Sequence, residues 1–307
     1  MAIKKIEISN FAMFKDFSLK PCQGINVLIG ENGAGKTTLL KKMFSITKEI
    51  EFHRGLPDSS GKVIYDIGQN SVSYDETTLH LCITENLHAV YIPEKDILEH
   101  AKGLIPFIEQ KQTGFDSIYR TVLISAQDIP TSTQTEMQKS ICNKITDIIE
   151  GEVFLDRSEG AYYTKKANGQ SIPFSNEASG FKKLGFIGLL VASGRLAPGS
   201  ILFWDEPENS MNPRLIPALV DILLELSHGS VQIFIATHSY MVAKYLDLRK
   251  KDNSDLIFVS MLKEDGVVST AISESYNALQ PNPIETSEEH LYQEVVKKVA
   301  EDNGWQT

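Results

Sequence analysis

Apolar Ile3, Ile6 and Ile8 are interleaved with Lys4, Lys5 and Glu7 at the start of the chain, and Phe14 to Leu19 repeats the pattern. Successive side chains of a strand point to opposite faces, so both runs predict strands with one buried face. Gly24 to Ile29 is a mostly apolar run that predicts a buried strand, and Thr37 to Met43 predicts the helix leaving the loop between them. Two half-buried strands ahead of a buried one predict an antiparallel pair laid against a parallel core. Gly61 to Tyr74 and Leu79 to Thr84 predict edge strands with polar turns, and Ala89 to Ile92 predicts a short buried strand ending at Pro93.

Beyond that proline the period changes. Ile97, Leu98, His100, Leu104, Ile105 and Ile108 recur near three and four apart, and Ile141, Ile145, Ile148 and Ile149 do so again. The stretch from about Asp96 to Glu150 therefore predicts helices, read as an inserted lobe. Pro130-Thr131-Ser132-Thr133 is expected to break the two helical stretches and to cap the second. Gly151 to Leu155 and Gly160 to Thr164 alternate across a turn and predict a hairpin, with Asn168-Gly169 as the strongest local turn signal. An apolar helix through Leu184, Phe186, Ile187, Leu189, Leu190 and Val191 follows. Two buried strands come next, Ile201 to Trp204 and Val231 to Ala236. Thr286-Ser287-Glu288-Glu289 reads as a capping box ahead of a last helix with Leu291, Tyr292, Val295, Val296 and Val299 on one face. That helix is expected either to pack on its own domain, the favoured reading, or to dock a partner.

Chemistry enters at Gly30-Glu31-Asn32-Gly33-Ala34-Gly35-Lys36-Thr37-Thr38, which fits the phosphate-loop pattern without a gap. Glycines let the loop turn its N–H groups inward around phosphate oxygens. Lys36 is the candidate for the β- and γ-phosphates and Thr37 for Mg²⁺. The helix starting there turns its positive end toward the anion, with Asn32, Gly33, Ala34, Gly35 and Thr38 completing the cradle. Asp205 and Glu206 end a buried strand, at the edge where ligands of open α/β sheets collect. Asp205 is the candidate second metal ligand and Glu206 the residue that polarises the attacking water. His238 ends the other strand, although a lone histidine there is usually structural. Ser179 and Gly180 open the apolar helix, where backbone amides could hold a phosphate. Phe11 and Phe14 are candidates for stacking on adenine or for the core, with the core favoured.

At 307 residues the chain can hold one large domain, or one with an inserted lobe. Its 42% apolar and 23% charged residues, with no long apolar run, predict a soluble cytoplasmic protein with no membrane partner. Cys22, Cys82 and Cys142 lack C-x-x-C spacing and are read as reduced thiols. A net charge of −10 argues against a surface that grips nucleic acid throughout, while leaving a local basic groove, and hence a nucleic-acid partner, possible. The clusters Lys165-Lys166, Lys182-Lys183 and Arg249-Lys250-Lys251 are read as solvated faces or helix ends.

In order and approximate spacing, the phosphate loop, Ser-Gly helix, Asp-Glu strand and strand-end histidine resemble the ATP-binding-cassette class of P-loop ATPases over nearly the whole chain. The opening I-E-I-S-N-F-A-M-F-K-D-F, the loop G-E-N-G-A-G-K-T-T-L-L, D-E-P-E-N-S-M-N-P and A-T-H-S look like its AAA_21 or SMC-like group. That group includes the overcoming-lysogenization-defect, Septu, retron-associated and abortive-infection ATPases. The resemblance implies an α/β ABC-type ATPase head: a mixed sheet with flanking helices, an antiparallel β subdomain and an inserted helical lobe. It divides the chain into 1–95, the N-terminal ATPase half; 96–174, the inserted lobe and hairpin; and 175–307, the C-terminal half. It also implies a homodimer sandwiching two ATP molecules with Mg²⁺. Lys36, Thr37, Asp205, Glu206 and His238 of one subunit would face Ser179 and Gly180 of the other, with Asn209, Ser210 and Met211 as the crossing loop.

The sequence departs from the group in places. Ala178-Ser179-Gly180-Phe181-Lys182 replaces the exporter signature, which disfavours a transporter subunit. Pro93-Glu94-Lys95 stands where a glutamine would begin the metal-sensing loop, leaving Glu94 as a weak candidate, and Asn212 stands where many relatives carry histidine. The lobe is too short for a long coiled coil, and the segment after His238 too short for the nuclease domain of the overcoming-lysogenization-defect proteins. The expected function is thus an ATP-hydrolysing switch controlling a separate effector, a nuclease or toxin, in prokaryotic anti-phage defence. The alternatives are a DNA-repair or DNA-end-processing ATPase, or a transport subunit.

Overall fold

The N-terminal alternation becomes β1 (Ile3–Phe11) and β2 (Phe14–Leu19), which pair antiparallel with Ile6 opposite Leu19 and Phe11 opposite Phe14. In this computed structural model, residues 2–47, 62–67, 70–74, 79–80, 88–109, 117–128, 133–252 and 255–302 are described. The apolar run becomes β3 (Ile25–Gly30), buried along its whole length, and the phosphate loop leads into α1 (Lys36–Thr47). The run expected as edge strand from Gly61 folds instead as β4 (Lys62–Ile67) and β5 (Asn70–Tyr74). β4 is interior, because it pairs with β1, and the sheet order is β2-β1-β4-β5-β6 with β6 at Leu79–His80. Residues 81–84 of the other expected strand, and Cys82, lie outside the described residues.

Next come β7 (Ala89–Ile92), α2 (Ala101–Glu109), α3 (Ser117–Ala126) and α4 (Glu136–Ile149). The cap of α4 is Thr135 and not the expected Pro130 to Thr133 segment, of which only Thr133 is described. The Gln138 N–H donates to Thr135 Oγ1 at 3.2 Å, and the Thr135 N–H donates to Gln138 Oε1 at 2.8 Å. This reciprocal pair satisfies two amides that a helix start leaves open. Gln138 also donates to the Val191 carbonyl, which ties α4 to the apolar helix that follows the hairpin. The hairpin itself is β8 (Gly151–Asp156) and β9 (Ala161–Lys166), extended by β10 (Ser171–Pro173).

The chain then supplies α5 (Ser179–Ala192), β11 (Ile201–Asp205), α6 (Ile216–His228), β12 (Gln232–Thr237) and α7 (Tyr240–Arg249). It ends with β13 (Leu256–Glu264), β14 (Val267–Ser273) and α8 (Pro283–Asp302). The second large sheet has the order β14-β13-β3-β12-β11-β7, parallel except for β14. This is the mixed sheet of an ABC-type P-loop ATPase head. Sequence reading passed over β13 and β14, although Asp265-Gly266 marked their turn; both residues take positive φ, as a tight hairpin requires.

One apolar cluster joins the two large sheets to the helices, from Ile6 and Ile8 through Val27 and Phe203 to Val122, Ile141 and Leu190. Gln232 fastens the sheets to each other. Its side chain accepts from the Ile3 N–H at 2.7 Å and donates to the carbonyls of Ile3 at 3.0 Å and Cys22 at 2.8 Å. α8 begins three residues before the expected box: Asn282 accepts from the Glu285 N–H, while Thr286 and Ser287 donate back to the carbonyls of Asn282 and Pro283.

Candidate active site

Strand register brings the site together. β12 runs beside β3 with Thr237 opposite Ile29, and β11 beside β12 with Asp205 opposite Ala236. Parallel pairing therefore places Gly30, Asp205 and Thr237 at one edge of the sheet. Gly33 and Gly35 take φ of 81° and 90°, the left-handed conformation that a Cβ disfavours. At Gly35 a Cβ would also lie 2.6 Å from Met13 Sδ and 3.0 Å from Phe14 Cζ, so the Met13 side chain would have to move.

Lys36 is buried, and its ammonium donates to the carbonyls of Gly30 at 2.7 Å and Glu31 at 3.0 Å. Burial pulls its pKa below the ordinary lysine value, opposed by the negative charges of Glu206, Asp205, Glu208 and Glu31. The Thr37 hydroxyl donates to Asp205 Oδ1 at 3.1 Å, and the Tyr91 hydroxyl to Oδ2 at 3.3 Å. Desolvation raises the Asp205 pKa, with the Thr37 hydrogen bond working against it and Glu206 adding to it.

Glu206 takes φ of 45°, unusual for a side chain with a Cβ, and its N–H donates to the Ala236 carbonyl at 2.9 Å. Its Oε1 lies 3.2 Å from His238 Nδ1. Two residues on, Glu208 Oε1 accepts from the Thr237 hydroxyl at 2.5 Å and the His238 N–H at 3.3 Å. Three contacts thus join this edge: the head of α1 meets β11 through Thr37 and Asp205, and the end of β11 meets that of β12 through Glu206 with His238 and Glu208 with Thr237. Glu94 Oε1 accepts from the Asn209 side-chain amide at 2.7 Å.

Ser179 and Gly180 open α5, whose N-cap is Ala178 and which has no side-chain cap. The first amides of a helix have no partner within it, so this end is free to receive an anion. Gly180 is buried against Met211 and Leu215. Among the described residues no hydrogen bond joins Ser179 or Gly180 to the phosphate loop of the same chain. Phe11 and Phe14 are core residues, each almost fully buried, so neither can stack on a base. The half-buried Ala12 and Met13 of the β1–β2 turn stand beside the loop in their place.

Sequence reasoning missed Tyr91, Glu208 and Lys183. Glu208 stood in the D-E-P-E run, but nothing local distinguished Tyr91 from a core tyrosine. Of the two readings of Lys182-Lys183, solvated face or helix end, the structure gives the second: both lie at the head of α5, and both are buried. Lys182 pairs with Glu99. Lys183 donates to the Glu206 carbonyl at 2.9 Å, and burial lowers its pKa against the pull of Asp96 and Glu208. An ammonium on that carbonyl holds the Glu206 backbone in its left-handed turn. Lys183→Met is expected to lower kcat about tenfold, with KM for ATP within about threefold, since small misplacements of a reacting group are costly. Lys183→Arg should recover most of the loss. Steady-state kinetics beside a thermal melt decides it, and an unchanged kcat in a folded Met variant would dismiss the positioning role.

Fold and site together are those of a P-loop ATPase with an ABC-type head fold. Two family models match the chain, each over a little under half its length: "AAA domain, putative AbiEii toxin, Type IV TA system" over residues 102–243, and "AAA domain" over residues 5–156. Among solved structures, an SMC head bound to the C-winged helix domain of ScpA is similar, with a TM-score of 0.59 and 13% identity. That likeness covers 91% of this chain and 99% of that one. An SMC head domain with an extended coiled coil, bound to the C-terminal domain of ScpA derived from Pyrococcus furiosus, gives a TM-score of 0.54 at 10% identity, covering 95% and 98%. The SMC head domain of Thermotoga maritima gives 0.50 at 15%, covering 89% and 99%. Among curated proteins, the DNA replication and repair protein RecF of Shewanella frigidimarina (strain NCIMB 400) is 39% identical over 44 residues. That stretch is 14% of this chain and only 12% of RecF. No helix among the described residues is long and apolar enough to cross a membrane.

Proposed function

We propose that this ATPase is a cytoplasmic switch: two copies close head to tail around two ATP molecules, and the closed state controls a separate effector, a nuclease or toxin, in prokaryotic anti-phage defence. The observation carrying the hydrolytic part is the pairing of Glu206 with His238 on the strand edge that holds Lys36, Thr37 and Asp205. Lys36, the amides of residues 32–35 and Thr38 bind the phosphates. Glu206 takes a proton from the attacking water, and His238, held by its backbone to Glu208, orients that carboxylate and faces the γ-phosphate. Ser179 and Gly180 of the second copy close the site from the other side, with residues 209–211 as the crossing loop.

The donor set fits Mg²⁺. The hydroxyl of Thr37 and the carboxylate of Asp205 are neighbouring hard oxygen ligands, and the cation would relieve the electrostatic cost of a buried Asp205. When bound, it neutralises charge on the phosphate oxygens. Support for an effector comes from the AbiEii-type family model, whose description names a toxin system. A second reading, a DNA-repair or DNA-end-processing ATPase, is favoured by the local match to RecF.

The test is mass measurement of the Glu206→Gln protein with and without ATP and Mg²⁺, followed by its isolation from the native cell. The expected result is an ATP-dependent doubling of mass and a nuclease or toxin retained at fixed ratio. A homodimer alone, with hydrolysis stimulated by DNA, would replace the switch reading with the repair reading.

A further inference from the structure

The first turn of α8 is buried, and residues 286–299 beyond it are exposed. Asn282 and Ile284 are buried beside the fully buried Tyr276 and Leu279. From α7, the Lys244 ammonium lies 5.0 Å from the centre of the Tyr276 ring and 5.4 Å from that of Tyr240. It also bonds Asn277 and lies 3.9 Å from Glu285 Oε1. α7 starts two residues after His238, with the Ser239 hydroxyl accepting from the Val242 N–H. The root of α8 is thus tied to α7 by the Lys244–Glu285 pair and packs against β3, the strand that enters the phosphate loop.

From Thr286 to Val299 every residue of α8 is exposed. Leu291, Tyr292, Val295 and Val296, at spacings that place them on one helix face, are between 45% and 71% exposed. Such a stripe beyond a buried root is suited to insertion into a groove. Charge says which groove. With Glu285 set against Lys244 and Lys298 paired with Asp302 at 3.0 Å, Glu288, Glu289, Glu294 and Glu301 outweigh Lys297. A second α8 would set two acidic flanks against each other, whereas a basic rim would be complementary.

We infer that α8 docks a partner protein through Leu291, Tyr292, Val295 and Val296, in an apolar groove rimmed by lysine or arginine. The inference rests on the switch reading above and names the surface through which the switch acts. Because the root of α8 touches both α7 and β3, movement at the nucleotide edge would carry the docking face with it.

The experiment places a benzophenone amino acid at Tyr292 of the full-length Glu206→Gln chain, in the cell that naturally makes it. It maps the crosslinked peptide with and without ATP and Mg²⁺. The expected result is one partner, crosslinked at an apolar segment flanked by basic residues. Val295→Asp should lower the yield about tenfold or more, while ATP hydrolysis of the chain carrying that change alone stays within about twofold. Glu294→Lys should weaken the crosslink, and reversing the facing basic residue of the partner should restore it. Crosslinking to a second copy of the chain, to an acidic surface, to nothing, or with a yield indifferent to Val295→Asp overturns the inference. A crosslink that depends on Val295 but not on ATP keeps the docking face and removes the ATP-gating reading instead.

Discussion

Glu206→Gln is expected to bind ATP normally and to hydrolyse it about 10²- to 10⁴-fold more slowly, the range a positioned general base contributes. Glutamine preserves the length and shape of the side chain, so the contact with His238 and the turn held by Lys183 both survive. What it loses is the capacity to accept a proton from water. Binding is expected to be spared because the proposed phosphate contacts, the loop and Lys36, follow β3, whereas Glu206 follows β11. The variant should therefore accumulate as a nucleotide-bound dimer under conditions in which the unaltered protein turns over. Phosphate release under saturating ATP, read beside a nucleotide-binding isotherm, separates the two effects. Near-normal hydrolysis would take the base role away from Glu206.

Lys36→Ala is expected to weaken ATP binding by roughly a hundredfold or more, corresponding to about 3 kcal/mol of lost charge-assisted contact. The expectation has two sources. The ammonium is the cation placed within the loop, donating to the Gly30 and Glu31 carbonyls and able to transfer those bonds to phosphate. It also offsets Asp205, Glu206, Glu208 and Glu31, whose charges act on it together. Without it an incoming triphosphate meets that group of carboxylates with less to counter them, and in a partly buried site such repulsion is weakly screened. Calorimetric titration with ATP and Mg²⁺ checks this, with a melting curve to show that the variant is folded. An unchanged dissociation constant would mean that the loop amides alone hold the nucleotide.

The candidate site was legible to different depths. The phosphate loop is nine consecutive residues whose glycines are demanded by local backbone geometry, and Gly33 and Gly35 do occupy the left-handed region. The Asp-Glu and histidine strand ends were legible because apolar runs of strand length stop at polar residues. The unusual backbone of Glu206, by contrast, left no local mark. Neither did the burial of Lys183, since a lysine pair at a helix head ordinarily faces water and only the carbonyl and carboxylates around it explain its position. The cap of α4 was misplaced because several hydroxyl residues compete before that helix, and Thr135 prevails through its reciprocal bond with Gln138. In the same way Asn282, directly after Gln280-Pro281, caps the start of α8 ahead of the more conspicuous Thr286-Ser287 pair.

By itself the sequence determined the local elements and the chemistry each carries: a buried strand entering a glycine loop, a helix leaving it, acids ending one strand and a histidine ending another. These depend on side-chain period and backbone freedom within a few residues, quantities that a linear pattern records. The tertiary structure alone decided which of those ends meet. Thr37 reaches Asp205 across 168 positions, and Glu206 reaches His238 across 32. Both contacts follow from parallel strands brought into register by the burial of the whole core, an energy summed over many residues that no single stretch of the chain contains.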